Sequence, residues 1–364
     1  MMMKSTFLKH LSLKKLKEKV KEIKAHLSSE EQNVITFSKN FTLSLSNYCQ
    51  NQCRYCFYNY KIRKQEGQAN EILIPDYKIE NLISQAITYN CKEALIMSGE
   101  KPDIFQKVKE ELRLRKYKDF IHFVKELCMK LINCNLLPHT NIGTLCYDDL
   151  KELKPLNASM GLMLESSSEK LCKKGGVHEF SPSKIPKFRL EHIENAGKLK
   201  IPFTTGLLLG IGETIDDRIK DLFIIKKLHQ KFGHIQEVIL QNFDYKAGIL
   251  YSPQKPIQII DILKIVGIAR LIFQNEIAIQ VPPNLISGYE KEFLEMGITD
   301  FGGVSPITRD FINPEKPWPE ITYLEKVCGK NGFKLKERLP IYEKFIHKPD
   351  FCPESIKKRI NNIN

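Results

Sequence analysis

The chain has 364 residues and a formal net charge of +13, from 56 Lys and Arg against 43 Asp and Glu. Hydrophobic residues at 42% and charged residues at 27% are ordinary for a globular protein, and no apolar run approaches the ~20 residues a spanning helix needs. The excess charge is Lys spread over predicted helix faces, 46 Lys to 10 Arg, which argues against a nucleic-acid surface and leaves only non-specific attraction. Ten cysteines are too sparse for a disulfide scaffold, and no leader with an apolar core and cleavage site is visible, so a reducing, cytoplasmic setting is expected.

One α/β barrel with end extensions fits this length. Over residues 4–27, Phe7, Leu11, Leu16, Val20, Ile23 and Leu27 recur at near-helical spacing with lysines opposite, an amphipathic helix. Glu18, Glu22 and the lack of Arg count against a membrane or transit role, so a helix packed on the main domain is expected. Strand candidates follow at 41–46, 93–98, 136–141, 158–165, 203–210, 237–242, 278–282 and 299–304. Helical patterns separate them, for example at 76–90, 118–133, 187–199, 216–232 and 257–274. Eight such units predict a (β/α)8 TIM-type barrel over 41–331, with a partial barrel of about six strands as the fallback because the last two strands are weak. Residues 1–40 form the N-terminal helical extension in this division, and 332–364 a basic tail wrapping the outside.

Chemistry in such barrels gathers at the C-terminal strand ends. The first strand runs into Cys49-Gln-Asn-Gln-Cys53-Arg-Tyr-Cys56. Three thiolates on one loop suit a metal cluster; a structural zinc site closes a tetrahedron with four ligands, and no fourth Cys or His is near. A zinc knuckle completed from elsewhere, or a chance grouping, is the competing reading. The other cysteines are scattered, with no Cys-x2-Cys pair, and are expected as buried apolar thiols rather than a second cluster. The second strand ends in Gly99-Glu100, where glycine permits close backbone approach and a carboxylate suits an ammonium group. The third ends in Pro138-His139-Thr140-Asn141, a polar set that suits substrate contacts, with His139 equally open to a structural role. Glu165 closes the fourth, placed to accept from ribose hydroxyls, unless the serines after it merely cap a helix. The fifth carries Gly206-Leu-Leu-Leu-Gly210-Ile-Gly212-Glu213, with no Gly-Lys-Ser/Thr to make it a phosphate loop. Gln241 and Asn242 end the sixth, two neutral amides that suit an uncharged polar substrate.

Cys-x3-Cys-x2-Cys with an aromatic, Tyr55, before the last Cys resembles the signature of the radical S-adenosylmethionine (radical SAM) superfamily. The resemblance implies one 4Fe–4S cluster on Cys49, Cys53 and Cys56, its fourth iron open to SAM. Gly99-Glu100 resembles the superfamily's Gly-Gly-Glu element, with Ser98 in place of the first glycine, and so implies contact with the SAM ammonium. The 206–213 run resembles Gly-x-Ile-x-Gly-x2-Glu, with Leu208 in the Ile position, and implies that Gly210 and Gly212 lie against the adenine.

Longer stretches resemble one family within it, the deazaflavin (FO) synthase subunit CofG. They are Met97-Ser-Gly-Glu-Lys-Pro102, Leu137-Pro-His-Thr-Asn141, Gly161-Leu-Met-Leu-Glu-Ser166, Ile201-Pro-Phe-Thr-Thr-Gly206, Gly210-Ile-Gly-Glu-Thr214, Gly233-His-Ile-Gln-Glu-Val238, Gln241-Asn-Phe243 and Phe301-Gly-Gly-Val-Ser-Pro306, within residues 40–320. The family implies deazaflavin ring closure, with loss of ammonia, on a tyrosine-derived hydroxybenzyl adduct of 5-amino-6-ribitylaminouracil that a partner subunit supplies, and a low-potential electron donor. Asn141, Gln241 and Asn242 are then the expected substrate contacts and His139 the candidate for proton transfer. The alternatives are the partner subunit itself, a biotin-synthase-like enzyme, or a non-enzymatic metal- and RNA-binding protein.

Overall fold

The computed structural model describes residues 7–28, 32–60 and 72–363. Eight parallel strands close into a barrel: β1 (Val34–Ser44), β2 (Glu93–Met97), β3 (Leu137–Asn141), β4 (Ser159–Gly161), β5 (Phe203–Leu209), β6 (Ile235–Asn242), β7 (Ala278–Gln280) and β8 (Asp300–Val304). Each pairs with the next and β1 pairs with both β2 and β8, so the full barrel forms and the six-strand fallback is not needed. β7 has only three residues, yet it bridges β6 and β8 because Thr299 and Val281 supply hydrogen bonds just outside it. The strands are buried on both faces, which is why they read as apolar runs rather than alternating ones.

Both predicted flanks belong to the sheet. β1 starts at Val34, not at 41, and its first residues pair with a ninth strand, β9 (Lys334–Glu337), which the sequence reading assigned to the tail. The rest of the tail packs on the barrel, with its last helix (Glu354–Ile363) against the outer helix Phe120–Asn133. Before that helix the tail crosses the N-terminal end of the barrel, where Ser159 and Gln236 donate to the Pro340 carbonyl and Arg338 reaches Asp300 and Glu237. Ile341, Phe345, Phe351 and Ile356 then pack with Ile132, Leu137 and Ala158 in a second apolar cluster. A run of prolines and lysines showed none of this pairing, since β9 is too short and too exposed to carry an apolar pattern.

The predicted N-terminal helix is interrupted at Leu11 and Ser12: residues 7–10 are helical, and a second helix, Leu13–Lys24, starts where the Ser12 side chain caps the Lys15 amide; residues 4–6 of the prediction lie outside the described residues. Leu16, Val20 and Ile23 are its buried face, and Leu16 packs against Gly267 of the helix Ile259–Phe273, as expected of a helix docked on the barrel. Cys91, Cys128 and Cys328 sit in the main core and Cys352 in the second cluster, as apolar thiols. No helix among the described residues is long and apolar enough to cross a membrane.

Candidate active site

The C-terminal strand ends open on one cavity of about 350 Å³, with Cys49, Cys53 and Cys56 in its wall. The cysteine loop is tied down by its backbone. Gln50 donates to the Glu100 carbonyl, Gln52 to Phe180 and Arg54 to Val177, while the Glu100 amide points at Cys49 Sγ (3.2 Å) and Ser181 Oγ at Cys53 Sγ (3.3 Å). Gly99 lets this happen: a Cβ there would overlap the Tyr48 carbonyl and come within 2.9 Å of Cys49 Cβ. Gly99→Ala is therefore expected to displace the cysteine loop, costing ~1–3 kcal/mol in urea unfolding and lowering iron content after reconstitution.

Burial, with the neighbouring sulfurs adding to it, pushes the Cys49 thiol up to about 11 and the Cys56 thiol up to about 12. Three such sulfurs ionise together only around positive charge, which fits a metal group.

Two buried carboxylates flank the thiols. Glu100 accepts from Gln50 Nε2 (3.2 Å), Asn51 Nδ2 (3.1 Å) and Thr144 Oγ1, with Arg189 Nη1 at 3.9 Å. Burial raises its carboxyl, but Arg189 and the hydroxyls of Ser183 and Thr144 outweigh that and hold it below the ordinary carboxylate range. Glu165, in the left-handed region at φ 63°, accepts from Lys184 and Tyr55, with His178 Nε2 at 3.2 Å and Arg189 Nη2 at 3.8 Å. Burial again raises it, and Lys184, His178 and Arg189 bring it well below the usual value. Arg189 also donates to the Met163 carbonyl, and its Nη1 is buried in the cavity wall without a hydrogen-bond partner, a ready donor for an anionic group.

Of the predicted site residues, Tyr55, Gly99, Glu100, Asn141, Glu165, Gln241 and Asn242 line this cavity with the cysteines, and Asn242 Oδ1 is a buried acceptor without a partner. Gly210 (φ 96°) and Gly212 (φ 109°) do not line it. They form the rim turn after β5, where the Gly210 and Ile211 amides donate to Glu213 and a Cβ would meet Ile257 or Leu171. Lys184, Arg189, Lys246 and Asn313 join the wall unanticipated. Lys184 and Lys246 were hidden among 46 lysines, whereas Arg189 had a signal, an Arg in step with the buried helix positions Pro186, Ile193 and Ala196.

His139 is not in the wall. It lies one layer deeper, Nδ1 2.6 Å from Ser159 Oγ, and burial, with Arg338 nearby, pushes its imidazole down to about 3. The folded protein thus keeps the ring neutral where the unfolded chain takes a proton. Its stabilisation is complete above pH ~6.5 and is lost as the pH falls toward 3. His139→Gln should flatten stability against pH between about 6 and 4 by one proton, ~1.4 kcal/mol per pH unit in urea titrations.

Known proteins resemble this chain in sequence and in fold. The radical SAM superfamily profile matches residues 43–224. The chain is 50% identical over 330 residues to the 7,8-didemethyl-8-hydroxy-5-deazariboflavin synthase of Methanococcus vannielii, covering 90% of each. It is 43% identical over 355 residues to the synthase of that name from Methanocaldococcus jannaschii, covering 97% of this chain and 95% of the relative. The fold resembles the FeFe-hydrogenase maturase HydG of Carboxydothermus hydrogenoformans (TM-score 0.70, 19% identity, 96% of this chain and 81% of that one). It also resembles methylornithine synthase PylB (TM-score 0.67, 17% identity, 91% and 92%). The chain belongs to the radical SAM superfamily and, within it, to the 7,8-didemethyl-8-hydroxy-5-deazariboflavin synthases.

Proposed function

We propose that this synthase closes its ring on 5-amino-5-(4-hydroxybenzyl)-6-(D-ribitylimino)-5,6-dihydrouracil, supplied by a partner subunit, and releases ammonia as a carbon–nitrogen lyase. The observation that carries this reading is the single cavity that holds three thiols, a guanidinium nitrogen without a hydrogen-bond partner and an amide-rich wall. Cys49, Cys53 and Cys56 are the residues that would hold one 4Fe–4S cluster, with SAM bound beside it. Glu100, kept ionised, takes the SAM ammonium, and Arg189 Nη1 takes the carboxylate; Glu165 fixes Tyr55, Lys184 and Arg189 in place. Once bound and reduced by a low-potential donor, cluster and SAM supply a 5'-deoxyadenosyl radical that takes a hydrogen atom from the substrate.

Asn141, Gln241 and Asn242 offer the uracil amides and ribityl hydroxyls both donors and acceptors, with Asn242 Oδ1 still free to accept. The enclosing barrel keeps water from the radical and the reacting atoms close. A steady-state assay tests the lyase assignment: one ammonia released per deazaflavin formed supports it, and deazaflavin without ammonia refutes it.

A further inference from the structure

An amine leaving as ammonia needs a proton, and most titratable groups in the cavity are already committed. Lys184 and Arg189 serve Glu165, Tyr55 donates to the same carboxylate, and Tyr58 donates to the Ser46 carbonyl. His139 lies below the cavity and stays neutral. Lys246 is a different case. It is 8% exposed, lines the cavity from the loop after β6, and places Nζ 2.7 Å from Asn313 Oδ1 and 3.0 Å from the Asp244 carbonyl. Asn313, in the same wall from the loop after β8, is itself fixed by Asp310, which accepts from its backbone amide (3.0 Å) and its Nδ2 (2.8 Å).

Two of the three ammonium hydrogens are therefore spent on neutral oxygens. Around the ammonium stand the Phe243 ring, its centroid 6.0 Å from Nζ, and Glu315 Oε1 at 3.5 Å on a side chain 42% exposed. That leaves one proton to give, with a solvent-reaching carboxylate beside it.

We propose that Lys246 is the general acid for ammonia release, a step that rests on the lyase reading above. The bond from the uracil carbon to the amine breaks with its electron pair on nitrogen, and an Nζ–H proton passes to that nitrogen as ammonia leaves. The C–H electron pair of the benzylic carbon becomes the new carbon–carbon double bond. Its proton returns to neutral Nζ, so Lys246 ends as the ammonium it began as and no electrons are exchanged in this step.

The test measures 5'-deoxyadenosine, deazaflavin and ammonia together in reconstituted, reduced enzyme with SAM and the adduct. In Lys246→Met, deazaflavin formation should fall ~100-fold while deoxyadenosine stays within about threefold of wild type, and a product retaining the amine nitrogen should accumulate. Methylamine should restore deazaflavin in proportion to its concentration. Lys246→Arg, which keeps the charge but holds its protons, should not restore it.

If Lys246→Met folds poorly, Asn313→Leu gives the same reading, a lowered ratio of deazaflavin to deoxyadenosine with the lysine displaced. Recovery in the Arg variant, or an unchanged product ratio in the Met and Leu variants, overturns the proposal and leaves the lyase reading intact. Wild type that forms deazaflavin without ammonia overturns both.

Discussion

Cys53→Ala is expected to abolish iron loading, SAM cleavage and deazaflavin formation together, while leaving the barrel folded. Cys53 is buried but sits on the loop after β1, outside the main apolar core. Its sulfur accepts from Ser181 Oγ at 3.3 Å, with the Tyr55 side chain also beside it, weak bonds to lose. The expected stability change is ~1 kcal/mol or less, because the β1–β2 ladder and the loop's backbone bonds do not involve the sulfur. Chemically nothing replaces it, since the cofactor carries the radical chemistry. Iron content, the visible absorbance of the reconstituted protein and a urea melt check the two halves. Cys146→Ala, at an exposed helix start, should keep full iron and activity. A Cys53 variant that still loads iron and cleaves SAM would contradict the assignment of the three thiols.

Arg338→Met is expected to cost ~3–5 kcal/mol, the largest stability effect, by stripping the counter-charge from the closed end of the barrel. Arg338 donates from Nε to Asp300 (2.5 Å) and from Nη2 to Glu237 (2.8 Å), and Tyr342 donates to both carboxylates. Glu93, also buried, faces the same guanidinium. Burial pushes Glu237 up to about 7 even with Arg338 present, and raises Glu93 as well. A raised carboxyl means the folded protein holds a proton the unfolded chain releases, so stability falls as the pH rises from the ordinary carboxylate range to about 7. Without the guanidinium that window extends upward, and the deficit should be larger at pH 8 than at pH 5. Urea midpoints at the two pH values decide it. A deficit below ~1 kcal/mol, or one independent of pH, would show that the tail does not neutralise this end.

The open end of the barrel was far more legible than the closed end. Strand ends announced themselves through residue types that are costly inside a barrel: the cysteines, Gly99-Glu100, Asn141, Glu165, Gln241-Asn242. Each was local, readable where its strand stopped. The closed end depends on pairing between distant segments, Arg338 with Asp300 and β9 with the start of β1, and no local pattern encodes it. His139 shows the same limit from the other side. One strand carries both His139 and Asn141, two residues apart, and only the layering of the barrel puts Asn141 in the cavity and His139 beneath it. Gly210 and Gly212 matched a superfamily element, yet their positive φ values serve the Glu213 turn, so a motif match located the rim without specifying which atoms face the cavity. Lys184 and Lys246 were invisible for a compositional reason: in a Lys-rich chain, a buried lysine looks like any other until its partners are placed.

The central claim is that this one cavity couples SAM cleavage to deazaflavin ring closure. Reconstituting the protein anaerobically with iron and sulfide, reducing it, and adding SAM with and without the hydroxybenzyl adduct tests that directly. Deazaflavin fluorescence that appears only with the adduct, alongside 5'-deoxyadenosine, is the predicted result. Deoxyadenosine without any deazaflavin in the presence of the adduct would contradict it.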